Sequence, residues 1–215
     1  GEKQRYWFDH PIQIGVSNDH NEAIYGLRGL DNAISFEKGR GVAQPADKLT
    51  CLLSVSVTHD GLHGIVNDYL KDVYADTEPF QNLNVYLFSE NDTDRISTEI
   101  LLPAMEKYMG ASNGDTLRRV FGVDGEYGRH YSFLKAMTAF WKVFISPNVK
   151  GSFKLDLDQV FDQVALVKET GNSALEHFKT PLWGAKGEDV DGNLVELGLM
   201  AGALVNTEDA SKGIF

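Results

Sequence analysis

Asp156 and Asp158 are the residues whose types and spacing most directly suggest chemistry. They stand at the end of an apolar stretch, residues 152–157, that predicts a buried strand. Two carboxylates two residues apart on a strand point to the same face and can converge on one cation. Mg²⁺ and Mn²⁺ favour carboxylate oxygens together with substrate phosphates. The pair therefore predicts a divalent-metal site, and the structural alternative is a solvated acidic turn or a helix cap.

The elements that must position this pair alternate along the chain. Short apolar runs predict strands at residues 49–57, 83–88, 118–123 and 152–157. Helical spacing of apolar residues predicts helices at residues 21–38, 61–72, 95–109 and 132–143, and a short helix or turn is predicted at residues 159–168. Strands that alternate with helices indicate an α/β fold, with a Rossmann-like, mostly parallel sheet and helices on both of its faces.

Polar side chains follow the first two predicted strands as well as the last one. Thr58, His59 and Asp60 follow the first strand, and Glu90 and Asp92 follow the second. In open parallel sheets, ligands bind at the carboxyl ends of the strands. The sequence therefore predicts one binding edge lined by polar, mostly acidic groups. A capping role for Asp60 is the structural alternative at the end of the first strand.

The order of these elements, and a helix followed by a strand ending in D-x-D at residues 118–162, resembles a GT-A-type nucleotide-sugar glycosyltransferase. The resemblance extends over about residues 48–205. It implies that Asp156 and Asp158 bind Mn²⁺ or Mg²⁺, which bridges the diphosphate of the sugar donor. It also implies that the donor nucleoside lies near residues 58–60, and that Glu90 or Asp92 faces the base or the ribose.

The same resemblance implies roles for four residues in the second half of the chain. Arg129 and Lys135, on a glycine-containing turn and the helix after it, would carry positive charge toward the diphosphate. Glu176 would act as a general base and His177 as a third metal ligand. The structural alternatives are a tight turn with an amphipathic helix for the first two residues, and an ordinary exposed Glu-His pair for the other two.

The predicted function is a metal-dependent glycosyltransferase that takes a nucleotide-sugar donor and an unidentified acceptor. A sugar-1-phosphate nucleotidyltransferase is an alternative, but residues 58–64 lack the arginine and glycine cluster of that class. A haloacid-dehalogenase-like phosphohydrolase is another, although that family carries D-x-D on its first strand. The remaining alternative is a non-catalytic domain that binds a ligand or a partner protein.

Composition limits the partners and the location. The 215-residue chain has a formal net charge of −11 and no long basic run, so double-stranded nucleic acid is not an expected partner. Cys51 is the only cysteine and is expected in the core. Without a signal peptide or an apolar stretch of membrane-spanning length, a cytoplasmic protein is predicted. Residues 1–47 are predicted as an arm and a helix that pack on a domain formed by residues 48–215, itself one part of a longer protein.

Overall fold

A computed structural model gives the fold for residues 15–55, 57, 59–110, 113–121, 146–148, 153–159, 162–179 and 186–196. The chain divides into two compact units, Gly1–Phe161 and Asp162–Phe215. The boundary predicted at residue 47 is a different division of the chain and stays a prediction. Among the described residues, no helix combines the length and the apolar character needed to cross a membrane.

The first long helix, α1 (Glu22–Gly39), confirms the helix predicted at residues 21–38. Asn21 caps it, because its side-chain oxygen accepts a hydrogen bond from the backbone N–H of Ala23 at 3.1 Å. The buried face of the helix recurs every three or four residues, as an amphipathic helix requires. Its buried apolar side chains are Ala23, Ile24, Leu27, Leu30, Ala33 and Ile34.

Two parallel strands form the centre of the first unit. β1 (Leu49–Val55) pairs with β2 (Leu83–Ser89) from Leu49 opposite Leu83 to Val55 opposite Ser89. Both strands confirm the sequence prediction. The connection between them contains a short 3-10 helix (Asp60–Leu62) and α2 (Val66–Ala75). The fold is therefore α/β with a βαβ unit, whereas the larger Rossmann-like sheet remains an expectation.

The core of this βαβ unit is apolar. Leu53 of β1, Leu70 of α2 and Leu83 of β2 are all at most 5% exposed. Cys51 lies on β1, and burial raises the pKa of its thiol to about 11. The thiol therefore stays protonated at neutral pH and acts as a small apolar group, but Cys51 is half-buried and does not reach the core position that the sequence predicted.

A nearly continuous helical segment follows β2. It consists of α3 (Glu90–Ile96), a π-helical turn (Ser97–Leu101) and α4 (Leu102–Met109). The segment contains the helix predicted at residues 95–109 and begins five residues earlier, directly at the end of β2. Gly110 ends it with a left-handed backbone (φ 67°), which glycine adopts without a steric penalty.

Two of the four predicted strands are wrong. Residues 118–121 belong to α5 (Gly114–Phe121) and not to a strand. The reason is a helix start upstream of the apolar run, where the side-chain oxygen of Asn113 accepts a hydrogen bond from the N–H of Thr116 at 3.0 Å. Of the strand predicted at residues 152–157, the described residues 153–156 have no regular structure, and the chain turns at Leu157.

The second unit is small. α6 (Gln163–Thr170) starts four residues later than the helix predicted at 159–168, because Asp162 caps it through the N–H of Ala165 at 3.0 Å. α7 (Ala174–Phe178) follows. An antiparallel hairpin then joins β3 (Lys186–Glu188) to β4 (Leu194–Glu196). The helix predicted at residues 132–143 lies outside the described residues.

Candidate functional site

The structure brings together polar residues that follow β1 and β2. Nδ2 of Asn91, in the first turn of α3, donates a hydrogen bond to the backbone carbonyl of His63 at 3.0 Å. Nδ1 of His63 lies 3.4 Å from Oε2 of Glu90. Both side chains are partly buried, with exposed fractions of 27% for His63 and 13% for Glu90. The segment after the first strand is thus held against the carboxyl end of the second strand.

Asp92, predicted to face the donor, has a structural contact. Its Oδ2 accepts hydrogen bonds from the N–H of Ser89 at 2.8 Å and from the hydroxyl of Ser89 at 2.9 Å. These bonds fix the junction at which β2 becomes α3, and a carboxylate in the first turn also interacts favourably with the helix dipole. Because Asp92 fixes this junction, it also sets the positions of Glu90 and Asn91 in the first turn of α3.

The three residues predicted at the end of β1 are described only in part. His59 is half-buried and extended (φ −131°, ψ 145°), and its carbonyl accepts the N–H of Leu62 at 3.2 Å. Asp60 begins the 3-10 helix, but its side chain lies outside the description, as does Thr58. The structure thus places the backbone of His59 and Asp60 at the strand end and leaves their ligand contacts as predictions.

Asp156 and Asp158 lie in a turn, which corrects the reasoning that predicted them on a strand. The N–H of Gln159 bonds to the carbonyl of Asp156 at 3.0 Å, and this bond bends the chain between the two aspartates. The alternation of side chains along a strand therefore no longer brings their carboxylates to one face. Lys154 forms an ion pair with Asp156, and Nε2 of Gln159 donates to Oδ2 of Asp156 at 3.1 Å.

The donor chemistry of this turn still suits a hard cation. Asp158 is exposed and the side chain of Asp156 is 45% exposed, so both carboxylates are accessible from solvent. Mg²⁺ usually keeps several waters and takes one or two carboxylates together with substrate phosphates. Within the described ranges, no group of three or more His, Cys, Asp or Glu side chains could hold a metal ion. A cation at this turn would therefore need water and substrate as its remaining ligands, and it would compete with Lys154 for Asp156.

Glu176 and His177 are in the second unit, on α7, whereas Asp156 and Asp158 belong to the first. Oε2 of Glu176 accepts the N–H of Ser173 at 2.8 Å, and the N–H of Glu176 donates to Oγ of Ser173 at 3.1 Å. This reciprocal pair is a capping box that satisfies the start of the helix. Nε2 of His177 lies 3.0 Å from Oγ1 of Thr170. Both residues thus have structural roles.

The capping role of Glu176 makes a first prediction. Glu176→Ala is expected to lower the free energy of unfolding by about 1 kcal/mol, because the N–H of Ser173 loses its acceptor. Glu176→Gln should retain most of that stability, since its amide oxygen can accept the same hydrogen bond. Urea unfolding followed by circular dichroism measures both changes.

Glu169→Ala is the matched control for this prediction, because Glu169 is exposed on the neighbouring helix α6. Its replacement should change stability by less than about 0.5 kcal/mol. Equal stability of Glu176→Ala and Glu169→Ala would contradict the capping role of Glu176.

Five residues remain to be placed: two that the sequence predicts at the site, and three to which it assigns no functional role. Arg129 and Lys135 lie outside the described residues. The sequence predicts a partly buried His63, which the structure confirms, and it gives Asn91 no individual role, although a place directly after a strand is a usable signal. Gly26 was also overlooked. A glycine inside an amphipathic helix signals a close approach, and a Cβ there would lie 2.4 Å from the carbonyl oxygen of Leu157.

Comparisons of the chain with protein-family models, with curated proteins and with solved structures found no match. A function is therefore inferred from the fold and the site of this chain. The fold is α/β and contains a parallel βαβ unit. Its carboxyl edge carries His63, Glu90 and Asn91 in contact with one another.

Proposed function

We propose that the protein is a metal-dependent glycosyltransferase that uses a nucleotide-sugar donor and has a GT-A-like fold. The observation that carries the proposal is the meeting of two polar strand ends in one βαβ unit, through His63, Glu90 and Asn91. Ligands of α/β sheets bind at the carboxyl ends of parallel strands, and a nucleoside offers hydroxyl and amide groups for such side chains. The element order of the GT-A resemblance supports the same reading.

The proposal gives separate tasks to the groups of the first unit. His59, Asp60 and Glu90, with Thr58, bind the nucleoside at the strand ends. Asp156 and Asp158 hold Mn²⁺ or Mg²⁺, which supplies charge neutralisation to the departing diphosphate. Lys154 and Gln159 keep the Asp156 carboxylate fixed toward the turn, so its orientation depends on hydrogen bonds from this chain.

The residues of the second half of the chain are proposed to act on the diphosphate, the acceptor and the metal. Arg129 and Lys135 stabilise negative charge on the diphosphate. Glu176 removes the proton from the acceptor hydroxyl and His177 completes the metal site. Both of these last roles require contacts other than the helix cap and the Thr170 contact that the two side chains make. Each of these two side chains would therefore have to exchange its present contact for one with a ligand.

Calorimetric titration with UDP- and GDP-sugars, in the presence and absence of Mn²⁺, tests the proposal. Wild-type protein is expected to bind one of these donors in a Mn²⁺-dependent way. Asp156→Asn/Asp158→Asn should weaken binding in Mn²⁺ by about tenfold or more, because the cation loses both charged ligands. Without the metal, this double variant and the wild type should bind alike.

The matched control is Asp68→Asn/Asp72→Asn, which removes the same charge from two exposed aspartates of α2. It should bind the donor as the wild type does, so that a general effect of net charge is separated from a local one. Failure of every sugar nucleotide to bind folded protein in Mn²⁺ would contradict the transferase. It would favour a phosphohydrolase or a non-catalytic domain, and hydrolysis of a phosphate monoester would then separate these two.

We also propose three properties of the whole protein. They comprise an acceptor bound by further domains of a longer chain, a cytoplasmic location, and the absence of nucleic acid among the partners. The nucleotidyltransferase alternative predicts a different reaction, the formation of a nucleotide-sugar and pyrophosphate from a nucleoside triphosphate and a sugar phosphate. Release of pyrophosphate from that mixture would favour it over the transferase.

A further inference from the structure

We infer that His63 is a binding residue for a sugar hydroxyl group, and that Glu90 is the positioning residue that orients its imidazole. This inference rests on the proposed function, because it assigns a contact within the proposed donor site. It concerns a histidine to which neither the fold nor the GT-A resemblance gives a role. The juxtaposition of His63, Glu90 and Asn91 carries it.

Two side chains contact His63, one at its backbone and one at its ring. Asn91 fixes the backbone through its hydrogen bond to the His63 carbonyl, and the Glu90 carboxylate stands 3.4 Å from Nδ1 of the ring. Both partners come from the first turn of α3, so one helix start supplies both contacts. The contact between Nδ1 and Oε2 is electrostatic and not a hydrogen bond, and in the neutral imidazole it favours the tautomer whose proton is on Nδ1, the nitrogen that faces the carboxylate. The lone pair is then on Nε2.

The other ring nitrogen is available to a ligand. Within the described part of the chain, Nε2 of His63 has no hydrogen-bond partner, and 27% of the side chain is exposed. A nitrogen with a lone pair accepts a hydrogen bond, and the ligand must therefore bring a donor. A sugar hydroxyl is such a donor, and each nucleotide-sugar carries several.

The negative charge of Glu90 favours a hydroxyl group over a phosphate as the ligand of His63. The Glu90 carboxylate next to the imidazole would repel an anionic oxygen, whereas it attracts the positive end of a hydroxyl dipole. A phosphate would also offer only acceptors to a nitrogen whose lone pair faces outward. The neutral hydroxyl of a sugar ring therefore fits this position, and its two sources are the nucleoside ribose and the transferred sugar.

Ligands that lack single hydroxyl groups test the inference. The probes are the nucleoside diphosphate that wild type binds, its 2′-deoxy and 3′-deoxy analogues, and the nucleotide-sugar, all titrated by calorimetry in Mn²⁺. His63→Phe is expected to weaken the complete ligand about fivefold, as the loss of one hydrogen bond predicts. It should leave unchanged the affinity for the one analogue that lacks the contacted hydroxyl. A loss seen only with the nucleotide-sugar assigns the contact to the transferred sugar.

His20→Phe is the matched control, because His20 also has its Nδ1 against a side-chain oxygen, that of Ser17 at 3.0 Å. It should bind every ligand as wild type does. Equal weakening of all ligands by His63→Phe, or no weakening of any, would overturn the inference while donor binding by wild type keeps the proposed function. Failure of wild type to bind any nucleotide would overturn both.

A measurement without ligand tests the role of Glu90 even where His63→Phe fails to fold. Long-range ¹H–¹⁵N correlation spectra of the imidazole report which nitrogen carries the proton. In wild type, the His63 proton should reside on Nδ1, and in Glu90→Ala the population should shift toward Nε2. A wild-type spectrum with the proton on Nε2, or one unchanged by Glu90→Ala, would contradict the positioning role.

Discussion

Replacement of Asp31 by alanine is expected to lower the free energy of unfolding by about 3 kcal/mol. Asp31 is 4% exposed on α1, and its carboxylate accepts the N–H of Asn82 at 2.7 Å and that of Gln81 at 3.3 Å. Arg28 lies 3.5 Å from the same carboxylate. Alanine would leave the two backbone donors without their acceptor next to the start of β2, whereas Arg28 would keep its hydrogen bond to the carbonyl of Glu78.

The Asp31 network also explains why so large an effect is expected from one side chain. Nδ2 of Asn82 donates to the carbonyl of Asp31 at 3.1 Å and to Oγ of Ser35 at 2.7 Å. The Asn82 carbonyl in turn accepts the N–H of Leu49 at 2.8 Å. One network therefore joins α1 to the beginnings of both parallel strands, and removal of the Asp31 carboxylate takes away its bonds to the N–H groups of Gln81 and Asn82.

Urea unfolding of Asp31→Ala, Asp31→Asn and Asp72→Ala measures the effect. Asp31→Asn keeps one acceptor oxygen, so it should lose less stability than Asp31→Ala. Asp72 is exposed on α2, and its replacement should cost less than about 0.5 kcal/mol. A loss for Asp31→Ala no greater than that for Asp72→Ala would contradict the described network.

The second large effect is expected from Gly26→Ala. A Cβ at this position of α1 would lie 2.4 Å from the carbonyl oxygen and 2.7 Å from the Cα of Leu157. Because the obstacle is backbone, the turn must move. Overpacking of this kind costs about 1–3 kcal/mol or more, and the better helix propensity of alanine returns about 1 kcal/mol. We expect a net loss of about 2 kcal/mol in the free energy of unfolding.

Gly39→Ala is the control within the same helix, since nothing lies within 4 Å of a Cβ built there. It should leave stability unchanged or raise it by up to about 1 kcal/mol. Leu157 stands between Asp156 and Asp158, so Gly26→Ala should also weaken Mn²⁺ binding if these aspartates hold the metal. Thermal and urea unfolding test the packing, and Mn²⁺ titration tests the link to the site. Equal stabilities of the two variants would disprove the close packing.

The sequence by itself determined the elements whose signal is local. The apolar spacing of residues 21–38 predicted α1 to within one residue at each end. The short apolar runs at residues 49–57 and 83–88 predicted β1 and β2, because a strand buried among helices needs apolar side chains on both faces. The meeting of polar residues at the carboxyl edge followed from parallel pairing alone.

The local pattern of apolar residues predicted the wrong backbone conformation at two places where a polar contact determines it. The apolar residues around Val120 suggested a strand, but the cap at Asn113 starts a helix upstream and carries it through residue 121. The bond from Gln159 to the Asp156 carbonyl bends the stretch that spacing predicted as extended. In both cases one hydrogen bond outweighs the strand propensity, because that propensity depends on neighbours that a single sequence does not show.

Only the tertiary structure decided which side chains contact one another. Parallel pairing brings the segments of His63 and Asn91 to one edge, but the specific hydrogen bond between them, across 28 residues of sequence, is visible only in the structure. Gly26 meets Leu157 across a separation of 131 residues, for the same reason. Periodicity fixes the face of an element but carries no information about its neighbour, so contacts between elements depend on packing and on buried polar groups finding partners.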